Sequence, residues 1–308
     1  MTKRHLIIAT RESPLAISQA EWVKNQLQKL HPHLAVELLG ITTQADKMLD
    51  MPLRTIGGKG LFIKELEDAL LAGRADIAVH SMKDVPMELP PGLIVPVVCE
   101  REDARDAFVS VQYASLAQLP RFVVVGTSSL RRQTQLRALR ADIEIQDLRG
   151  NVNTRLQRLD KGDFAAIILA GAGLKRLGLA NRIRAYLSTD DVLPSAGQGA
   201  LGIECREDDD AIRQLIAPLD HPITHTCVTA ERAVCRRLNG GCQIPVAAYA
   251  EMHHAELTVR GLVSNRDGKR ILHAKLSGEP KHAESMGTRV ADELLQQGAE
   301  KILREFYE

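Results

Sequence analysis

Apolar and polar positions along this chain alternate between a two-residue period and one near 3.6, and the order in which the two periods follow each other points to an α/β protein. Residues 5–10 read as a buried strand. Ser13-Pro14 then supplies a helix N-cap and a first-turn proline, and Ala16, Ala20, Val23, Leu27 and Leu30 recur at spacings of four and three. That spacing predicts an amphipathic helix ending near His31-Pro32. A second strand is expected over 36–41, a helix over 61–72 closed by Gly73, and a third strand at Asp76-Ile77-Ala78-Val79. The order is βαβαβ-like.

The pattern restarts near residue 122, with strands expected over 122–126, 143–148 and 165–170 and helices from about Ser129, Val152 and Leu174. The charged, aperiodic stretch from Glu100 to Asp106 reads as the crossover between two α/β domains, and residues 188–200, with Pro194 and Gly197-Gln198-Gly199, as the return. Two crossovers imply a hinge. After about residue 220 the pattern changes to a helix near 226–238, strands around 246–250, 257–263 and 270–276 with Asp267-Gly268 as a hairpin turn, and helices within 283–306. The expected domains are therefore 1–100 with 200–218, 105–195, and a smaller α+β domain over 220–308.

Composition narrows the class. The chain has 308 residues, 44% hydrophobic and 26% charged, which suits a globular protein of two or three domains and excludes a mainly disordered one. With 40 Lys and Arg against 39 Asp and Glu, any anion-binding surface must come from local clustering. Aromatic residues are only 3%, too few for base-stacking platforms, so nucleic-acid binding is not expected. Five cysteines without a Cys-x-x-Cys pair fit neither a zinc site nor a disulfide framework and suggest a reducing compartment. The apolar run Leu6-Ile7-Ile8-Ala9 is too short for a signal-peptide core and no stretch reaches membrane-span length, so a cytoplasmic protein is expected, a monomer by default. The histidines show no metal-ligand spacing, and no metal is expected.

In an open α/β sheet, ligands sit beyond the carboxyl ends of the strands, where helix N-termini also point free N–H groups. Those positions hold Thr10, Arg11 and Ser13; Gly57-Gly58-Lys59-Gly60 before the helix at 61; and His80-Ser81-Met82-Lys83-Asp84-Val85-Pro86. In the second domain they hold Gly126-Thr127-Ser128-Ser129-Leu130-Arg131-Arg132, then Arg149-Gly150-Asn151 with Arg155, then Gly171-Ala172-Gly173 with Lys175-Arg176. Nearly every strand end carries a cation. Any one of these taken alone reads as solvated surface, but together they would line an interdomain cleft, and guanidinium forks match carboxylates bidentately. The implied ligand is a polycarboxylate. A phosphate is disfavoured because Gly57-Gly58-Lys59-Gly60 lacks the Walker spacing, and Gly197-x-Gly199-x-x-Gly202 matches the dinucleotide fingerprint only by letter, since a strand-like segment follows it. Asp84 reads either as an ion-pair partner or as a carboxylate beside a cationic intermediate, able to bind a ring N–H and to act as general acid.

Cys242 ends Leu238-Asn239-Gly240-Gly241-Cys242 and precedes Gln243-Ile244-Pro245, so two glycines and a proline shape the loop around one sulfur. It reads either as a small buried hydrophobe or as a presented thiol that carries something.

These motifs, with Leu148-Arg149-Gly150-Asn151-Val152, Gly197-Gln198-Gly199-Ala200 and Glu231-Arg232-Ala233, resemble those of the porphobilinogen deaminase family, in register from about residue 5 to 306. The resemblance implies two type II periplasmic-binding-protein-like domains with a hinge, plus a small C-terminal α+β domain carrying the cofactor cysteine. It implies a transferase of haem biosynthesis that joins four porphobilinogen molecules head to tail, with loss of ammonia, into hydroxymethylbilane. It also implies a dipyrromethane cofactor in thioether linkage to Cys242. By the same resemblance Asp84 is catalytic, while Lys83, Thr127, Ser129, Arg131, Arg132, Gly150 and Arg155 hold the cofactor. Arg11, Ser13, Lys59, Arg149, Arg155 and Arg176 hold the substrate. Each pyrrole carries an acetate and a propionate, so the growing chain is the polycarboxylate that the cations call for. The chain departs from the family pattern at Ala45, Thr55 and Val234-Cys235. The competing reading is a two-lobed anion-binding protein without catalysis, which accounts for the cations but not for Cys242.

Overall fold

The computed structural model describes residues 5–43, 63–239 and 244–306. Lys59 and Cys242, and the departures at Ala45 and Thr55, lie outside the described residues. The strands in chain order are β1 (His5–Arg11), β2 (Ala35–Ile41), β3 (Ile77–Ser81), β4 (Leu93–Val98), β5 (Asp106–Val109), β6 (Val124–Gly126), β7 (Glu144–Gln146), β8 (Ala166–Ala170), β9 (Ala185–Tyr186), β10 (Leu201–Arg206), β11 (Val246–His253), β12 (Glu256–Ser264) and β13 (Ile271–Gly278). The helices are α1 (Pro14–Leu30), α2 (Lys64–Leu71), α3 (Leu130–Leu139), α4 (Val152–Asp160), α5 (Gly171–Arg176), α6 (Asp210–Ile216), α7 (Pro222–Arg237), α8 (Ala283–Gln296) and α9 (Ala299–Arg304).

The chain divides into two compact units, Met1–Glu102 with Ala200–His225, and Asp103–Gly199 with Thr226–Glu308. The first is built on a sheet of order β2-β1-β3-β10-β4, in which β1 runs parallel to β2 and β3 while β10 is antiparallel to both of its neighbours. Strand periodicity sends the residues of β1 to opposite faces. Leu6 and Ile8 enter one core with Val23 and Leu27 of α1, and Ala9 enters another with Leu66, Ala69 and Leu70 of α2. Helix α1 starts where the sequence predicts: the Ser13 hydroxyl accepts from the Ala16 N–H at 3.3 Å, and Pro14 fills the first turn, where no donor is needed.

The second unit contains a sheet of order β7-β6-β8-β5-β9, with β6 parallel to β7 and β8 and with β5 antiparallel to β8. Both five-stranded sheets therefore follow one plan: second strand, first, third, an antiparallel strand supplied by a crossover, and an edge. The stretch from Glu100 to Asp106 ends by entering β5, so the apparent linker delivers a core strand. Two other expectations shift. The strand expected from residue 122 begins at Val124, because Phe122 is 77% exposed and takes a φ of 63° in a turn. The helix expected from Leu174 begins at Gly171, whose N–H donates to the Arg105 carbonyl at 3.0 Å as β8 ends.

The same unit carries the antiparallel sheet β11-β12-β13. Asp267 holds the predicted hairpin turn by accepting from the Lys269 N–H, and Gly268 takes a φ of 74°. Helix α8 packs close on α7 at Gly287, where a Cβ would run into the Ala230 carbonyl oxygen and lie 2.8 Å from Ala233 Cβ. Alanine gains up to ~1 kcal/mol of helix propensity over glycine, but overpacking against backbone costs about 1–3 kcal/mol. We expect Gly287→Ala to lower stability, read as a reduced denaturant midpoint at unchanged m-value; a raised midpoint would show that the α7–α8 contact yields freely.

Candidate active site

In the first unit β1 and β3 are parallel neighbours, so Arg11 and Ser13 share a sheet edge with the residues that follow β3. β3 runs directly into a 3-10 turn, Met82–Asp84. The Met82 N–H donates to the Ala200 carbonyl at 3.0 Å, and Met82 and Val85 are both buried. Lys83 and Asp84 lie between these two anchors and remain half-buried. The turn thus presents one cation and one carboxylate from a fixed backbone. Ser13 is half-buried and uses its hydroxyl as the cap of α1, while Gln19 of α1 donates to the Ser81 hydroxyl at 3.0 Å, tying helix to turn. His80, near the end of β3, lies 2.8 Å from Glu204 of β10 through its Nε2, and both are buried.

In the second unit the ends of β6, β7 and β8 carry the remaining described candidates. Thr127 is buried, and its hydroxyl accepts from the Ser129 N–H; Ser129 is the N-cap residue of α3, and its hydroxyl makes no cap hydrogen bond. Gln133 donates to the Thr127 carbonyl at 2.9 Å and to Asp147 at 3.0 Å, and Asp147 lies 3.7 Å from the half-buried Arg149. The ends of β6 and β7 are thereby linked. Gly150 takes a φ of 100°, and its carbonyl accepts from Arg155 Nε at 2.8 Å, which folds that side chain back over the turn into α4. Arg176 donates to the Gly199 carbonyl at 2.6 Å.

Arg131 and Arg132 differ from the other cations in being buried, with Asp106 between them. Arg132 donates through Nε and Nη2 to Asp106 Oδ1 at 3.0 and 2.7 Å, and Arg131 Nη1 lies 2.8 Å from Asp106 Oδ2. Gln198 donates to the same carboxylate at 2.8 Å. Burial alone would raise the Asp106 pKa, but the Arg131 and Arg132 charges, with their hydrogen bonds, outweigh it and hold the carboxyl well below the usual range. Any ligand carboxylate that reaches these two arginines shares them with Asp106. Asp106 and Glu204 did not stand out in the sequence; the available signal was an acid at the head of, or inside, an apolar strand. Gly197-Gln198-Gly199 is a turn rather than a nucleotide loop: Gly197 N–H donates to the buried Glu231 at 2.7 Å, and both glycines have positive φ.

Among the described residues no helix is long and apolar enough to cross a membrane, and no group of three or more His, Cys, Asp or Glu side chains is arranged to hold a metal ion. Two α/β sheets of one plan, with acid and cations gathered at strand ends, define a protein of the type II periplasmic-binding-protein-like class carrying an added α+β domain. Residues 6–214 match the family model described as "Porphobilinogen deaminase, dipyromethane cofactor binding domain", and residues 225–296 match "Porphobilinogen deaminase, C-terminal domain". The chain belongs to the porphobilinogen deaminase (hydroxymethylbilane synthase) family, transferases of tetrapyrrole biosynthesis that use a dipyrromethane cofactor. Solved structures similar to it include a putative methionine-binding lipoprotein of Bacillus subtilis, at 11% identity over 70% of this chain and 90% of that one with a TM-score of 0.44. Another is the periplasmic aliphatic sulphonate binding protein of Escherichia coli, at 15% identity over 77% and 71% with a TM-score of 0.41.

Removing one member of a buried charge cluster leaves the others uncompensated, which costs about 3–5 kcal/mol. Asp106→Asn should lower stability by that order in equilibrium unfolding. Because the folded pKa of Asp106 is depressed, its contribution is fully present above its ordinary value of about 3.9 and is lost as pH falls below it. The gap between wild type and variant should therefore be constant at neutral pH and close only in acid. A gap that closes on raising the pH instead would contradict the assignment.

Proposed function

We propose that this chain condenses four porphobilinogen molecules head to tail, releasing one ammonia at each addition, and then frees the linear tetrapyrrole hydroxymethylbilane by hydrolysis. The observation that carries the reading is the fixed turn at Met82–Asp84, which offers a half-buried carboxylate next to a lysine in a chain of this family. The donor set suits the dipyrromethane: half-buried Lys83 and Arg155 and a serine at a helix N-cap are what a molecule with several carboxylates requires. That group, when bound, supplies an electron-rich pyrrole carbon as the point of attachment for the next ring.

Lys83, Thr127, Ser129, Arg131, Arg132, Gly150 and Arg155 would hold the cofactor, and Arg11, Ser13, Lys59, Arg149, Arg155 and Arg176 the acetate and propionate groups of the substrate. Asp84 accepts the pyrrole N–H through a carboxylate oxygen, offsets positive charge on the reacting ring and assists proton transfer to the departing amine. Cys242 would carry the thioether. The four described cysteines, Cys99, Cys205, Cys227 and Cys235, are all buried, and burial pushes the Cys205 thiol up to about 11, which makes it a poor nucleophile near neutral pH.

Asp84→Asn keeps shape and removes charge, so the variant should retain its pyrrole load and lose about 10²–10⁴ in kcat, the usual worth of a general acid; turnover at the wild-type rate would refute the role. Intact mass under denaturing, reducing conditions should show an excess equal to two linked pyrrole units, mapped to the peptide containing Cys242 and absent from Cys242→Ser. The same excess surviving in Cys242→Ser would move the attachment elsewhere, and a chain that gains no mass with porphobilinogen would be a binding protein.

A further inference from the structure

Two residues before the Asp84 turn, the first unit buries three ionisable side chains from three elements: Glu67 of α2, His80 of β3 and Glu204 of β10, exposed by 6%, 5% and 0%. The His80 imidazole donates through Nε2 to Glu204 Oε2 at 2.8 Å. Glu204 Oε1 and Glu67 Oε1 are buried without a hydrogen-bond partner. Two neighbouring carboxylates, each with a bare buried oxygen, cannot both stay ionised cheaply. A protonated carboxyl is a donor as well as an acceptor, so one proton relieves both the repulsion and the missing bond.

The surroundings favour Glu67 as the proton's seat. Burial, then the Glu204 charge, raise it from its ordinary range to about 7, helped by Asp68 and opposed by His80 and Lys64. The elements packed most extensively on α2 are β1, β3 and β10, with apolar Leu39 and Ile41 of β2 and Leu93 of β4 completing its core. β1 meets it with Ile7 and Ala9, β3 brings His80, and β10 brings Glu204 and Arg206. Arg206 is engaged by the Leu70 and Ala75 carbonyls and by Asp76 and Asp209.

We propose that Glu67, Glu204 and His80 form a positioning network for the Asp84 turn, in which Glu67 carries the proton that lets two carboxyl groups share one site. His80 pairs with Gly202 across the β3–β10 ladder, and two residues on the Met82 N–H is bound by the Ala200 carbonyl. The imidazole–Glu204 bond therefore locks the register of β3 against β10 just where the turn departs. Ionising Glu67 sets a second negative charge beside Glu204 and loosens that lock. The inference rests on the reading of Asp84 as the catalytic acid, but the proton on Glu67 can be observed without turnover.

The test is infrared difference spectroscopy of the holoenzyme in the carboxylic-acid C=O region over about pH 5–9, comparing wild type with Glu67→Gln. The wild type should show a band that titrates near 7 and that Glu67→Gln lacks. Because a carboxyl with a raised folded pKa binds its proton more tightly in the folded state, wild-type stability should fall as pH rises from about 4.5 to about 7, and the fall should be smaller in Glu67→Gln. The kcat of the wild type should fall as pH rises through the same midpoint at unchanged KM, and that limb should vanish in Glu67→Gln. If Glu67→Gln does not fold, Glu204→Gln serves instead: removing the like charge should move the band's midpoint to lower pH and reduce kcat by about tenfold or more with the cofactor still attached by mass. Absence of the band, titration in the ordinary range near 4, or identical pH profiles for wild type and Glu67→Gln would overturn the proposal. A wild type that makes no tetrapyrrole yet shows the band would sink the functional reading and leave the protonated cluster standing.

Discussion

A carboxylate sealed from water, Asp106, sets the terms for the second unit. Its ionised form is tolerable only because Arg131, Arg132 and Gln198 converge on it, and these come from β5's partners in three dimensions rather than in sequence. Arg132 also donates to the Ile168 carbonyl of β8, and Arg131 to the Leu193 carbonyl. One charge thus ties strand, helix and return segment together. The cost of burying it is offset only when every partner is in place, which makes the arrangement specific as well as cohesive.

The first unit poses the same problem on the corresponding strand, three residues further along, and answers it differently. β5 and β10 are the antiparallel strands that each crossover contributes to its sheet, and each carries a fully buried acid, Asp106 and Glu204. Where Asp106 is balanced by two permanent cations, Glu204 faces an imidazole and a second carboxyl. Guanidinium stays charged at any pH a protein survives, so the Asp106 cluster is insensitive to neutral pH; the desolvated Glu67 carboxyl is not. The unit that carries Asp84 is therefore also the one with a protonation equilibrium built next to its turn.

The α/β order, the cap and course of α1, the hairpin at Asp267-Gly268 and the strand-end positions of the described site residues were legible in the sequence, because each depends on local periodicity or turn chemistry. Strand β5 was not. Asp106-Ala107-Phe108-Val109 is four residues long and opens on an acid, so it reads as the tail of a linker until a partner strand exists to pair with it. Helix α3 hid its packing for a related reason. Arg131 to Gln135 are all polar and all buried, held by hydrogen bonds to Thr127, Asp147 and Leu193 where other helices present an apolar stripe. Hydrophobic periodicity finds cores built by exclusion of water, and this one is built from paired charges and amides.

Such a core suits a unit that must present cations without moving them. Gln198, hydrogen-bonded to Asp106, is joined through the backbone to Gly197, whose N–H is held by Glu231 of α7, and the other oxygen of Glu231 takes the Ala250 N–H of β11. The Gly199 carbonyl in the same turn holds Arg176. The strand β11 and the helix α7 are the two elements that flank the segment containing Cys242, and their near ends are fixed: Asn239 N–H donates to the Arg236 carbonyl, and the Pro245 carbonyl accepts from Ser264. Arg131, Arg132 and Arg176 thus share one frame of backbone and hydrogen bonds with α7 and β11.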